Sequence, residues 1–170
     1  KGLMQPSMNL SRSDAATIFL NEKYIYVFGG WDYSTKKSIN VVEKYHIFYD
    51  EGIKLNDSWE KIIVKGGEEL LEKYNMGVID LHLGINDSSE HNILLVGGYD
   101  SSFDYSFDVV NVNINFDENY VKIEKGNKGL PAGLECSFWY EKNFISTVSD
   151  FDGEEIAVNF NCFNNIYVYS

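Results

Sequence analysis

Three histidines, two cysteines and a surplus of carboxylates are the side chains of this 170-residue chain best suited to chemistry. A metal site or an acid–base site needs such groups to converge. His46 follows the outer part of an apolar run, His82 lies within another, and His91 sits in a polar loop. Those positions differ in kind, so each histidine is expected to be a surface or satisfied strand residue. Cys136 and Cys162 have no histidine nearby, and two thiols cannot complete a four-ligand zinc site. They read as small buried hydrophobes in a reducing compartment. The carboxylates gather in Asp100-Asp104-Asp108 and Asp150-Asp152-Glu154-Glu155. A calcium loop needs its oxygens in a defined order with a glycine at the turn, which neither run supplies. Solvated acidic loops are the expectation. No Ser-His-Asp or Cys-His set is found by motif. The chain is therefore expected to be no enzyme and to hold no metal or cofactor.

The charge balance narrows the partners. Net charge is -12, and Arg12 is the single arginine among 14 basic residues. An acidic surface disfavours phosphate backbones and anionic membranes, so neither nucleic acid nor a lipid surface is an expected partner. No apolar run approaches the ~18 residues of a membrane span. No signal peptide is visible, although the chain opens on Lys1 rather than Met, and a cytoplasmic location is expected. Sequons at Asn9, Asn56 and Asn86 are what chance gives in an asparagine-rich chain. At 44% hydrophobic and 15% aromatic, the chain is globular, with enough length for a real core.

The elements that would position any site are announced by a repeat. Tyr24-Ile25-Tyr26-Val27-Phe28-Gly29-Gly30-Trp31-Asp32 is answered by Ile93-Leu94-Leu95-Val96-Gly97-Gly98-Tyr99-Asp100. Each is an apolar run stopped by two glycines and followed by an aromatic and an aspartate. Phe144 to Asp152 is a fainter copy, with Phe151-Asp152 in step but the glycines gone. Repeats of this length indicate a solenoid, a propeller or an array.

Each unit opens on Lys-Gly, at Lys1, Lys65 and Lys125. The first strands are expected at 15–20, 77–83 and 136–140. After the glycine-ending strand, third strands are expected at 40–47, 107–114 and 164–169. Outer strands begin near Trp59, running to Val64, and near Tyr120. These runs are rich in Val, Ile, Tyr and Phe and are punctuated by Gly, Asn, Asp and Ser. The one helical stretch is Glu68 to Tyr74, at most two turns.

Four short strands per unit, a glycine pair after the second, an aromatic in the third and Trp59 at the fourth resemble the kelch repeat. The first unit, from Arg12-Ser13-Asp14-Ala15-Ala16 through Gly29-Gly30 to Tyr45 and Trp59, follows the kelch pattern closely. The second keeps its glycines, with Asn113 near the Tyr position and Tyr120 for the Trp. The third is degenerate and lacks its fourth strand.

The resemblance implies an all-β chain: a partial kelch-type β-propeller of about three four-stranded antiparallel blades, part of a larger propeller. The blades would be 1–64, 65–124 and 125–170. Propellers close with roughly four to eight blades, so further blades of the same chain or another chain would complete this one. Gly29, Gly30, Gly97 and Gly98 would let the backbone pack against a neighbouring sheet. Tyr45 and Trp59 would fill the space between blades.

Kelch propellers generally bind proteins through the loops after the glycine pair and between blades. The resemblance thus implies a non-enzymatic interaction module or scaffold of the cytoskeletal or ciliary kind. Its partner-binding residues would be Arg12, Trp31, Tyr33, Tyr99, Ser101 and Phe151. An alternative is an adaptor or regulatory propeller of a larger enzyme or ubiquitin-ligase complex. A more distant one is a copper enzyme resembling galactose oxidase, which would need two tyrosines and two histidines at one end.

Overall fold

The computed structural model describes residues 6–47, 58–81, 89–127 and 129, together with the backbone strands Ile145–Ser149, Glu155–Asn161 and Asn165–Tyr169. The described chain is all-β, and its only helical piece is one 3-10 turn, Glu68–Leu71.

The first unit forms a four-stranded sheet. Strands β1 (Ala16–Leu20) and β2 (Tyr24–Phe28) make a hairpin whose turn residues Asn21 and Glu22 both have positive φ. That turn twist matches the twist of paired strands. The chain then makes a small hairpin just past the glycines, β3 (Trp31–Asp32) with β4 (Lys37–Ser38), which the repeat pattern does not announce. Next come β5 (Val42–His46) and β6 (Glu60–Lys61). The order is β1-β2-β5-β6, with every neighbour antiparallel.

The expected outer strand at 59–64 is split between two sheets. Ile62 is buried and its N–H still bonds Val42 O at 3.0 Å. Beyond it, β7 (Ile63–Lys65) leaves for the second sheet. There it pairs with β11 (Tyr120–Lys125), the one parallel pair among the described strands. The second sheet also holds β8 (Gly77–Asp80), β9 (Glu90–Val96) and β10 (Val109–Asn115). Its order is β7-β11-β10-β9-β8, five strands where four were expected.

The two sheets bury one face each against the other. Ala16, Leu20, Tyr26, Phe28 and Val42 of the first join Ile93, Leu95, Val112 and Ile123 of the second in one buried cluster. At about 1.5–3 kcal/mol for each fully buried large apolar side chain, this interface dominates the cohesion of the pair. Leu71, on the 3-10 turn joining the units, is fully buried in the same cluster.

The outer faces differ from each other. On sheet two, strand alternation and register put Asn92, Asn111, Asn113, Lys122 and Glu124 opposite the core side. All but Asn113 are exposed, and Asn113 donates to Asn92 Oδ1 and Glu90 Oε2. On sheet one the face away from the shared core carries Val27, Glu43 and Tyr45, all buried, and the repeat register matches it to the core side of sheet two, where Leu95, Val110 and Val112 hold the same places. The outer face of sheet two also carries the buried Leu94, Val96 and Val109, so it is apolar toward the glycine end and polar toward the other. No closed propeller is formed by the described residues.

The third sheet is β12 (Ile145–Ser149), β13 (Glu155–Asn161) and β14 (Asn165–Tyr169), in that order and antiparallel. This corrects the expected unit. The neighbour of β12 is Glu155–Asn161, and Asn165–Tyr169 lies one position further out. The strand expected at 136–140 and the cysteines lie outside the described residues. Among the described residues no helix is long and apolar enough to cross a membrane.

Candidate interaction surface

The glycine pairs explain how the loop end is built. Gly29 and Gly30 have φ of +62° and +101°, and Gly97 and Gly98 repeat this at +65° and +88°. A Cβ on Gly29 would lie 2.5 Å from Lys73 O and 2.8 Å from Leu71 O. One on Gly98 would lie 2.6 Å from Tyr74 O. Each pair thus combines a left-handed turn with close backbone approach. Gly30 N–H donates to Lys73 O at 2.9 Å, tying unit one to the start of unit two.

The next residues follow the same plan in both units. Trp31 bridges Ser13, and Tyr99 bridges Tyr74. Asp14 and Asn75 share the left-handed conformation, and Asn75 N–H donates to Asp14 O at 2.7 Å. The aspartate after each aromatic caps its own loop. Asp32 Oδ1 accepts from Ser34 N–H at 2.8 Å, and Asp100 Oδ1 accepts from Ser102 N–H at 2.7 Å. This is the turn chemistry expected of aspartate and accounts for its recurrence without a ligand. Hydrogen bonds from Ser34 and Thr35 hold the Asp32 carboxyl below the usual carboxylate range.

The aromatics themselves converge across the junction of the units. Trp31, only 8% exposed, has its ring 5.1 Å from Tyr74 and 5.5 Å from Phe103. Tyr74 stacks on Tyr99 at 5.4 Å, and Tyr99 meets Tyr105 at 4.6 Å. Trp31 therefore packs against the second unit and is not displayed. Phe103 is the exposed member of this cluster at 66%, and Tyr33 at 73% and Phe107 at 52% are exposed on the flanking loops. Phe103 also has φ +65°, a conformation that an aromatic residue adopts only at a cost. Ser101 Oγ accepts from Ser38 N–H at 2.9 Å and lies 2.6 Å from Ser38 Oγ, so it clasps the two loops together. Phe151 lies outside the described residues.

Arg12 is not part of this surface. Its guanidinium is fully buried, 2.6 Å from the equally buried Glu43 carboxylate, and Nη1 donates to Gly29 O and Val41 O. Burial lowers its pKa, against the pull of Glu43. Lys73 stands at the corresponding place in unit two, bonded to Asp108 at 3.0 Å and Leu70 O at 3.1 Å. A local pattern cannot distinguish a buried cation from a displayed one, because burial depends on a carboxylate some 30 residues away.

Tyr45 is buried, and Trp59 lies against it at 5.2 Å. Extending the β5–β6 register one residue places Trp59 opposite Tyr45, and the pair in the same place on sheet two is Val112 and Ile123. Asn113 and Tyr120 are therefore not the counterparts of Tyr45 and Trp59.

The acidic run divides. Asp100 caps its loop, while Asp108 is held between Lys73 and Lys125 at 3.0 and 2.6 Å. His91 pairs with Asp80 at 2.6 Å, and His46 lies against Tyr24. His82 is outside the described residues. Among the described residues no group of three His, Cys, Asp or Glu could hold a metal ion. Phe103, Phe107, Tyr74 and Tyr105 were not marked out by the repeat; the aromatic spacing Phe103-Tyr105-Phe107 was the available signal. Compared with protein-family models and with curated proteins, the chain matches none.

Proposed function

We propose that the chain is a non-enzymatic protein-interaction module assembled from kelch-like β units, working as a scaffold. Its docking surface is the loop end carrying Tyr33, Tyr99, Phe103 and Phe107. One observation carries this reading: the Tyr33 loop of unit one and the Phe103 loop of unit two each expose an aromatic ring and are joined by Ser38 and Ser101, with Phe103 packed on the buried Trp31. Aromatic anchors with few rotatable bonds are what protein interfaces are enriched in. Trp31 supports the platform from below and Ser101 fixes its spacing, so both act on docking through the exposed residues.

A photo-reactive benzophenone side chain at position 103 tests this. Crosslinking in a native extract is expected to give discrete protein adducts from position 103. The same group at Phe19, which is exposed on β1, is expected to give none of them. Identical adducts from both positions, or none from either, would overturn the assignment of the surface.

A further inference from the structure

The charges around the aromatic platform select among possible partners. Asp14, Asp32, Glu72, Asp100 and Asp104 outnumber Lys36, Lys37 and Lys73 in the loops that build it, and Lys73 is buried and paired with Asp108. The whole chain carries a net charge of -12. A second copy, a nucleic acid or an acidic peptide would bring like charge to this end, which opposes association. A cation gains twice, from the carboxylates and from the π-faces of exposed aromatic rings. The rings available for this are Tyr33 and Phe103, on neighbouring loops clasped by Ser38 and Ser101.

The loops are also set in advance. Asp100 accepts from both Ser102 N–H and Asp104 N–H, and its own N–H donates to Asp104 O. This closes a tight loop that holds Phe103 outward at positive φ. A rigid loop loses little entropy on binding, which leaves more of the contact energy as affinity.

We propose that this platform receives an extended peptide segment bearing lysine or arginine, its cations lying over Tyr33 and Phe103 and facing Asp100 and Asp104. The inference rests on the reading of the chain as an interaction module and specifies its partner chemistry. Arginine fits best where a ring and a carboxylate are both in reach, since its planar group can stack and form paired hydrogen bonds.

An array of short synthetic peptides graded in net charge tests it, with the intact chain as analyte and fluorescence anisotropy for the best sequences. Affinity is expected to rise with lysine and arginine content and to fall with added salt. Phe103→Ala is expected to weaken binding roughly tenfold, the effect of losing one anchor. Asp104→Asn is expected to weaken basic peptides selectively. Phe103→Gly guards against a folding artefact, because glycine accepts positive φ while removing the ring; it should keep the fold and weaken binding by a similar factor. Neutral or acidic peptides binding at least as well, and losing affinity in Phe103→Ala, would overturn the charge assignment while leaving the docking surface intact. Binding by no peptide class would overturn the inference. The crosslinking at position 103 would then decide separately whether the surface docks folded proteins.

Discussion

The Arg12 guanidinium and the Glu43 carboxylate meet at 2.6 Å with both side chains wholly removed from solvent. Asn9 N–H donates to the other Glu43 oxygen at 2.8 Å, and Arg12 reaches the carbonyls of Gly29 and Val41. The pair therefore ties the entry loop, the glycine turn and β5 into one unit. Arg12 Nε makes no hydrogen bond among the described residues, so the pair is not fully compensated for its desolvation.

Removing one partner leaves the other charge stranded. Arg12→Met or Glu43→Leu alone is expected to cost about 3–5 kcal/mol in urea unfolding. The double variant is expected to recover much of that loss, since it buries no charge. Additive losses in the double variant would show that the pair is not an energetic unit.

Two glycines separate conformational strain from steric contact. Gly66 has φ +75°, with the nearest foreign atom 3.6 Å from a built Cβ. Gly66→Ala is expected to cost about 1–2 kcal/mol, the left-handed penalty alone. Gly29→Ala adds contacts under 3 Å with two carbonyl oxygens of the next unit. It is expected to be clearly the worse of the two by thermal unfolding. Equal losses would mean that the units yield at their junction without cost.

Asp108 gives stability at neutral pH that acid removes. Burial works against its ionisation, but hydrogen bonds from Lys125 and Lys73 prevail and hold its carboxyl below the usual range. A depressed folded-state pKa stabilises above the unfolded value of about 3.9, and the gain is lost as pH falls through the folded value. The melting temperature is expected to drop below about pH 4. Asp108→Asn should be less stable at neutral pH and less sensitive to acid. An unchanged acid slope in that variant would assign the acid loss to other carboxylates.

The glycine pairs and most strands of the first two units were legible because alternation, turn residues and a repeated stop signal are local. The roles of charged and aromatic side chains were not. Arg12 and Trp31 sit in loops and have the residue types of interface anchors, yet Glu43 buries the first and Tyr74 with Phe103 nearly buries the second. The repeated aspartates look like a binding motif from their recurrence, and a turn explains them once the loop backbone is seen. The split at Ile62 was hidden because β7 pairs with a strand more than 50 residues later, which no local pattern encodes.

The outer face of sheet two offers the sharpest test of how far the apolar stacking extends. Asn111 is exposed there, directly across from Glu124, while Val112 beside it is buried against sheet one. Asn111→Lys puts a cation opposite a carboxylate on a wet face, where cross-strand pairs contribute a few tenths of a kcal/mol. Its unfolding free energy is expected to stay within about 0.5 kcal/mol of the parent. Val112→Lys forces a charge into the interface and is expected to cost about 4 kcal/mol or more, or to prevent folding. A large loss from Asn111→Lys would mean that an apolar surface covers this face after all. The amide row would then belong to a blade interface, as a continuous propeller requires.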